Sequence, residues 1–409
     1  MSAVIGYADT RFSSVQAIQV DKQGGRVMRF LLFYGNIDPL NHFTSELDAE
    51  LRNKGHQTSF VDLRGEWQEA MQAILNDHID AAICYDGIGD FCTEVFDRLG
   101  IPLINILMDH PMDKISCVQK RANKYILLCP DENHVVYSKR FFGIQNTFFM
   151  PHMASLSVEF HQTPYEKKDM DLLFPGSLGS CNALYKQIIE RWPSENSRQL
   201  ALATLECLLE NPGKTVEAVF TDILTDKNME LSDSAIAAFL GVSKEIDIFV
   251  RMYYRENIIT KIIQADIPIT LIGSGWNKPI YTGKRNVTVL EKQTFAAIFS
   301  YMERSKITFT VMPWFKAGTH DRIFNALMHY SCPLTDESSW LLEHLKPDEE
   351  CAYYSLENMD EIPYKIYQLL NHPELQHKII QNGREKVLNN YTSRQITEQI
   401  LQHLEECYG

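Results

Sequence analysis

The sequence has 409 residues, which is too long for one ordinary hydrophobic core and fits two domains of ordinary size. Its hydrophobic fraction of 45% and charged fraction of 22% are typical of a soluble globular protein. The formal net charge of −14 argues against nonspecific nucleic-acid binding, which needs clustered basic residues, but it leaves room for a local basic cleft.

The cysteines and the hydropathy pattern favour a cytoplasmic protein. The 9 cysteines are scattered without a CxxC pair, so we expect free thiols in a reducing compartment. No apolar run approaches the roughly 20 residues that a membrane-spanning helix needs. Residues 1–27 lack the charged start and apolar core of a signal peptide, and they are predicted to be a polar N-terminal extension.

A first α/β domain is predicted over residues 28–160. Apolar runs that suit buried parallel strands occur at 28–34, 58–63, 81–85, 102–107, 125–129 and 147–150. Helical patterns separate these runs, and such alternation predicts a parallel, doubly wound sheet.

Asp109 and His110 directly follow the fourth of these runs. Ligands of doubly wound sheets bind beyond the carboxyl ends of the strands, which is where these two residues are expected to lie. Either side chain could act as a general base if its pKa were suitably shifted. The alternative is structural, with Asp109 capping the following turn and His110 hydrogen-bonded to the backbone.

A second α/β domain is predicted over residues 169–390, and it opens with a strand that enters the glycine turn of Gly176 and Ser177. After an interruption, a strand at 267–272 enters a Gly-x-Gly-Trp turn that ends at Trp276. Trp276 could form the wall of a ligand site or simply pack in the core, and a lone GxG is weak evidence by itself.

The interruption in the second domain is a predicted helical insertion at 182–262. Helical spacing without a convincing strand covers residues 183–191, 198–210, 215–224, 232–240 and 245–263. The insertion could close over a cleft, hold a second substrate or pair with another subunit, and the sequence leaves these three roles open.

Residues 306–336 are predicted to form a strand, a glycine turn, a helix and a second strand, which together make a βαβ unit. In such a unit the unpaired amides and the dipole at the start of the helix favour an anion. Gly318 allows close backbone approach, and Thr319 or Asp321 can cap the helix. Because Arg322 adds a bidentate cation, we expect recognition of a diphosphate; the alternative is an ordinary turn with a surface arginine.

This stretch resembles the nucleotide-sugar site of GT-B glycosyltransferases, in particular the CgeB-like group. That group has G-x-x-x-R-x-F-E-A followed by a G-x-P-x-T-D type segment, and the matching residues here are Gly318, Arg322, Phe324, Ala326, Pro333, Thr335 and Asp336. Asn325 replaces the glutamate that usually binds the ribose, and Ser331 replaces the usual glycine. The segment that contains Gly176 and Ser177 is similar to the D-x-x-F-x-G-S segment of the same group.

The resemblance implies an α/β protein of the GT-B fold. Two Rossmann-like domains would face a cleft, with the helical insertion in the second domain and a C-terminal helix, 391–409, that packs back on the first. The implied catalytic residues are Asp109, His110 and Arg322. The implied donor-binding residues are Gly176, Ser177, Gly273, Gly275, Trp276, Gly318, Thr319, His320, Arg322, Asn325 and Asp336.

The implied function is metal-independent transfer of a hexosyl or N-acetylhexosaminyl group from a nucleotide sugar, UDP-linked, to a hydroxyl of a protein, a glycan or a small molecule. No cofactor, nucleic acid or membrane span is expected, and a homo-oligomer is left open. One alternative is an epimerase or hydrolase that acts on the nucleotide sugar alone. Another is a binding or scaffold protein that has lost catalysis, which Asn325 makes conceivable.

Overall fold

The computed structural model describes residues 26–156, 162–192 and 194–409. The predicted N-terminal extension, 1–27, lies almost wholly outside the described residues. The described chain contains two parallel six-stranded sheets, each covered by helices.

The strands are β1 (Arg29–Tyr34), β2 (Gln57–Asp62), β3 (Ala81–Tyr85), β4 (Leu103–Ile106), β5 (Tyr125–Cys129), β6 (Thr147–Phe149), β7 (Met170–Pro175), β8 (Ile269–Ile272), β9 (Val287–Leu290), β10 (Ser305–Phe309), β11 (Cys332–Asp336) and β12 (Ala352–Tyr354). The helices are α1 (Asp38–Asn53), α2 (Trp67–Leu75), α3 (Thr93–Leu99), α4 (Ile115–Gln119), α5 (Glu132–Phe142), α6 (Cys181–Arg191), α7 (Glu195–Glu210), α8 (Val216–Asp226), α9 (Asp233–Gly241), α10 (Lys244–Gln264), α11 (Pro279–Thr282), α12 (Phe295–Arg304), α13 (Asp321–Met328), α14 (Ser339–His344), α15 (Ile362–Asn371), α16 (Pro373–Asn390) and α17 (Ser393–Tyr408). Short 3-10 turns occur at Asp90–Cys92, Pro111–Lys114, Tyr165–Lys167 and Leu356–Glu361.

The first sheet has the strand order β2-β1-β3-β4-β5-β6, with every pair parallel. Its central strands are apolar throughout because helices cover both faces, and side chains from Phe30 to Phe33 are fully buried. Separate clusters of apolar side chains fill the two faces of this sheet.

The second sheet has the order β12-β11-β10-β7-β8-β9, again with every pair parallel. The chain winds away from β7 in opposite directions, so the loops after β7 and β10 diverge and leave a crevice between them. The first sheet has its own crevice between β1 and β3. The two crevices face each other across the space between the domains.

The predicted helical insertion is confirmed as α6 to α10. Its apolar side chains merge with the core of the second domain, where Phe220 and Ile258 join Leu172 and Phe309 in one cluster. The insertion therefore extends the second domain and is not a free-standing unit.

The C-terminal helix returns to the first domain, as the resemblance implies. Ile396, Ile400 and Leu404 of α17 pack into the same cluster as Leu47 of α1. The chain crosses back to the first domain at Tyr391, whose carbonyl accepts a hydrogen bond of 2.7 Å from the Ala154 amide. No helix in the described part of the chain is long and apolar enough to cross a membrane.

Candidate active site

A cleft of 840 Å³ lies between the carboxyl ends of the two sheets. The loops after β1, β3 and β4 form its first-domain wall, and the loops after β7, β8 and β9 form the opposite wall together with the first turn of α13. Among the predicted site residues, those that line this cleft are Asp109, Gly176, Ser177, Gly273, His320, Arg322 and Asn325.

Two glycine loops pack back to back on the second-domain wall. The Gly176 amide donates a hydrogen bond of 2.9 Å to the Ile272 carbonyl, and the Ser274 amide donates one of 3.1 Å to Ser177 Oγ. Gly273 has φ 146°, and a Cβ at this position would lie 2.8 Å from the Gly176 carbonyl carbon. The backbone can approach this closely because both positions lack side chains.

Arg322 presents an unpaired positive charge to the cleft. It lies in the first turn of α13, and its guanidinium is 6.0 Å from the centre of the Phe174 ring. Its Nη1 is buried and has no hydrogen-bond partner among the described residues. Burial lowers the pKa of Arg322, and the neighbouring Asp321 partly opposes this effect. The group still stays charged at neutral pH, so the cleft wall contains a cation available to an anionic ligand.

Arg255 is a second cation, buried behind this wall and outside the cleft lining, and it was not among the predicted site residues. It lies on α10, donates from Nη1 to the Ser177 carbonyl, and sits 5.5 Å from the same Phe174 ring. Burial, together with the nearby charges of Arg322 and Arg251, lowers the pKa of Arg255 to about 9. A sequence signal was present, because both α10 arginines fall on the apolar stripe of an amphipathic helix.

The first turn of α13 is held by side chains that bond to one another. His320 Nδ1 lies 2.7 Å from Asp321 Oδ1, and Asn325 Nδ2 donates a bond of 3.1 Å to Asp321 Oδ2. The Ser155 amide donates to Asn325 Oδ1 at 2.8 Å, so both ends of the Asn325 side chain are engaged within the protein. Burial alone would raise the pKa of Asp321, but His320 and Arg322 hold it well below its ordinary range. This geometry does not favour the ribose-binding role that the resemblance implies for Asn325.

Gly318 and Thr319 lie outside the cleft lining. Gly318 forms an antiparallel bridge with Asp131, and a Cβ at Gly318 would lie 2.1 Å from the Pro130 carbonyl oxygen. Thr319 is fully buried, and its carbonyl contacts His152 Nδ1 at 2.7 Å. Gly318 therefore needs to be a glycine because the backbone of the first domain approaches it closely. The sequence had predicted that a diphosphate would make this close approach.

Gly275 and Trp276 support the wall from behind. Trp276 is fully buried, donates from Nε1 to the Gly176 carbonyl at 2.6 Å, and packs against Phe174. Gly275 has φ 88° and leaves no space for a side chain beside the Leu178 carbonyl. Of the two interpretations of Trp276, the structure favours core packing.

Asp336 is also behind the wall, and it is only 1% exposed. Its Oδ1 accepts the Met312 amide at 2.8 Å, and the Tyr354 hydroxyl lies 3.4 Å away. Burial raises the pKa of Asp336 to about 6. These contacts join β11 to the segment after β10 and to β12, and Asp336 is not among the residues that line the cleft.

Asp109 lines the cleft and is paired with a cation. Its Oδ1 accepts from Arg251 Nη1 at 3.0 Å. Burial would raise the pKa of Asp109, but Arg251 and Lys114 hold it below its ordinary range. An ionised carboxylate of this kind can orient a hydroxyl, although it is a weak proton acceptor.

His110 lies outside the cleft lining. Its Nδ1 accepts the Met112 amide at 3.1 Å, and its Nε2 lies 3.6 Å from Glu217 Oε2 of the insertion. The structural alternative predicted that His110 would bond to the backbone, and this agrees with the contact to Met112. It also predicted that Asp109 would cap the following turn, but His110 is the residue that caps it.

His152 lines the cleft and was not among the predicted site residues. It is 5% exposed, and its Nε2 has no hydrogen-bond partner among the described residues. The sequence signal was a Pro-His pair directly after the last strand of the first domain. The described residues contain no cluster of three or more His, Cys, Asp or Glu side chains that could hold a metal ion.

Comparison with known proteins gives one family match. Residues 255–402 match a family model described as glycosyl transferase-like, which covers less than half of the chain. The matched region begins at Arg255 and includes the whole first turn of α13. No curated protein matches the sequence.

Solved structures decide the fold. Sucrose-phosphate synthase from Thermosynechococcus elongatus is similar with a TM-score of 0.56 and 10% identity, over 93% of this chain and 98% of that one. HepE from Anabaena, in complex with UDP and glucose, gives 0.52 and 9%, over 93% and 100%. An alpha-glucosyltransferase in complex with UDP and a 13-mer DNA gives 0.53 and 11%, over 93% and 100%. The fold is GT-B. The predicted fold class is thus confirmed, and the cleft is the interdomain cleft of a GT-B protein.

Proposed function

We propose that this GT-B protein is a glycosyltransferase that moves a sugar from a nucleotide-sugar donor to an acceptor hydroxyl. The observation that carries the proposal is Arg322, a buried guanidinium with an unpaired Nη1 at the edge of the interdomain cleft. The glycosyl transferase-like match over residues 255–402 supports the same assignment.

The donor diphosphate would bind against Arg322 and the glycine loops, and Arg255 behind the wall would add a second positive charge. Arg322 and Arg255 both lie against Phe174, and neither forms an ion pair with a carboxylate among the described residues, so a diphosphate would relieve their mutual repulsion. The positive end of the α13 dipole adds to this field. These fixed charges would stabilise the leaving diphosphate during transfer, which is why we propose a reaction that needs no metal ion.

The identity of the nucleotide is proposed from the neighbours. HepE and the alpha-glucosyltransferase were both solved with UDP, and we infer a UDP-linked hexose or N-acetylhexosamine as the donor. On the first-domain wall, Asp109 would orient the acceptor hydroxyl of a protein, a glycan or a small molecule. The motif around Arg322 supports placement in the CgeB-like group. The cysteine thiols seen in the structure are free, which supports a cytoplasmic location.

Calorimetry with the full chain tests donor binding. UDP should bind in the presence of EDTA, and Arg322→Ala should weaken it by at least tenfold, because the variant removes a charge-assisted contact to the diphosphate. Arg285→Ala is the matched control, since Arg285 belongs to the same domain but pairs with Asp266 on the exposed surface. Equal affinity in the wild type and Arg322→Ala, or no binding of UDP, GDP or ADP by the wild type, contradicts the proposal.

A binding protein without catalysis is the second candidate. It is favoured by Asn325, whose side chain is already engaged by Asp321 and Ser155 where a glutamate usually binds the ribose. Product analysis separates the two functions. Release of free UDP together with a glycosylated acceptor supports the transferase. Release of free sugar or an epimer without any acceptor indicates a hydrolase or epimerase, and tight binding without any product indicates the binding protein.

A further inference from the structure

His152 joins the two domains at the point where the chain leaves β6. The residue follows the last strand of the first domain, yet its Nδ1 contacts the Thr319 carbonyl of the second domain at 2.7 Å. Its ring lies 5.9 Å from that of His320, which caps the helix that carries Arg322. The His152 ring is therefore held next to the proposed diphosphate site, on the side of the first domain.

The contact with Thr319 fixes which ring nitrogen carries the hydrogen. A backbone carbonyl can only accept, so Nδ1 must be the donor, and Nε2 of the neutral ring is left with a free lone pair. Nε2 is buried and has no partner among the described residues. Buried polar atoms are normally hydrogen-bonded, and because His152 lines the cleft, a ligand that enters the cleft can supply the missing donor.

The surrounding groups indicate what that donor is. His152 lines the same cleft as Met108 and Asp109 of the first domain and as Arg322 of the proposed diphosphate site. In the proposed reaction the sugar is bonded to the diphosphate and must also reach the acceptor hydroxyl at Asp109, so the sugar would lie between these two regions. Sugar hydroxyls are suitable donors for a fixed imidazole lone pair.

We infer that His152 Nε2 accepts a hydrogen bond from a hydroxyl of the sugar that is attached to the diphosphate. His152 is then a specificity-determining residue that distinguishes a nucleotide sugar from the free nucleotide. The inference rests on the proposed function, and it adds a residue and a contact that neither the motif nor the family match assigns.

The test compares UDP with UDP-glucose, UDP-galactose and UDP-N-acetylglucosamine by calorimetry on the full chain. His152→Asn places an amide nitrogen near the Nδ1 position, so it can keep the bond to Thr319 while it removes the Nε2 acceptor. We expect at least tenfold weaker binding of the preferred UDP-sugar and unchanged binding of UDP. His152→Gln places an amide oxygen near the Nε2 position and should recover part of the lost affinity.

His344→Asn is the matched control. His344 Nδ1 also contacts a backbone carbonyl, that of Trp340 at 2.8 Å, but this contact lies outside the cleft. The control should leave the affinity for every ligand unchanged.

A second measurement covers the case in which His152→Asn does not fold. In the wild type labelled with 15N-histidine, the Nε2 resonance of His152 should shift on addition of the UDP-sugar and stay in place with UDP. The inference is overturned if the variant loses affinity for UDP and UDP-sugar equally, if it loses neither, or if both ligands shift the resonance alike. Wild-type protein that binds neither ligand instead refutes the proposed function, and that result appears before any variant is made.

Discussion

At the scale of single residues, Phe174 is a platform for two like charges. Arg255 and Arg322 lie 5.5 and 6.0 Å from its ring, and each gains a cation–π contact that offsets part of its burial. The contacts do not cancel the repulsion between the two guanidiniums, which contributes to the lowered pKa of Arg255. An anionic ligand bound at this site would reduce that repulsion.

Asp336 gives a pH-dependent prediction. Burial raises its pKa from 3.8 to about 6, so the folded state keeps the proton over a pH range where the unfolded chain has lost it. Stability is then fully present below about pH 4 and falls as the pH rises to about 6, by about 3 kcal/mol at most. Asp336→Asn keeps an acceptor for the Met312 amide but has no charge, so we expect it to raise the melting temperature above pH 6 and to change little at pH 4.

Thermal melts of the wild type and Asp336→Asn from pH 4 to pH 8 measure this difference. Asp360→Asn is the control, because the Asp360 side chain is 86% exposed and its neutralisation removes only a surface ion pair with Lys261, which contributes less than about 1 kcal/mol. A difference between the wild type and Asp336→Asn that is the same at every pH contradicts the buried-carboxylate argument.

At the scale of elements, local signals predicted the helices of the insertion well. Ser194, Thr215 and Ser232 each cap a helix through the side-chain oxygen, and apolar periodicity follows each cap. Such signals depend on neighbouring residues in the chain, so they can be seen in the sequence. For Arg255 the local pattern indicates only a place on the apolar side of α10, because its contact with the Phe174 ring of β7 joins segments that are far apart in the sequence.

Gly318 is a second case in which the sequence marks a position but not the contact that the position makes. The sequence correctly marked a position that excludes a side chain, but the reason lies in the first domain, where Pro130 and Asp131 occupy the space. A glycine that meets a ligand and a glycine that meets another loop look alike in a sequence. The cleft walls formed by Gly176 and Gly273 could be predicted because parallel strands bring their carboxyl ends together.

Gly318→Ala should therefore destabilise the fold and not only weaken donor binding. The added methyl would lie 2.1 Å from the Pro130 carbonyl oxygen, and the backbone must move to accept it. We expect a loss of about 2 kcal/mol in the free energy of unfolding, measured by denaturant titration. Gly65→Ala is the control, because no atom lies within 4 Å of a Cβ at Gly65. If Gly318→Ala is as stable as the wild type but loses affinity for UDP, Gly318 contacts the donor and this prediction is wrong.

At the scale of the whole molecule, contacts on two sides hold the domains together. On one side, Asp38 accepts the Phe295 amide at 2.6 Å, and the rings of His42 and Phe295 lie 5.1 Å apart. On the other side, the insertion contacts the first domain through ion pairs. The two sheets and the order of their elements could be predicted from alternation in the sequence, whereas these contacts between distant segments could not.

The ion pairs of the insertion differ in burial, and this difference supports a final prediction. Arg251 is 11% exposed and pairs with Asp109 at 3.0 Å and Asp113 at 3.4 Å in the first domain, and with Asp247 of its own helix at 2.5 Å. Arg140 pairs with Asp233 on the surface. Removing this cation leaves the carboxylates of Asp113 and Asp247, which are 17% and 12% exposed, without it in a low-dielectric environment, whereas exposed partners remain hydrated. We expect Arg251→Met to cost about 3 kcal/mol in the free energy of unfolding, and Arg140→Met less than about 1 kcal/mol. Denaturant titration of both variants at pH 7 gives the comparison. Equal, small losses would mean that the insertion is joined to the first domain by apolar packing, with the buried ion pairs contributing little.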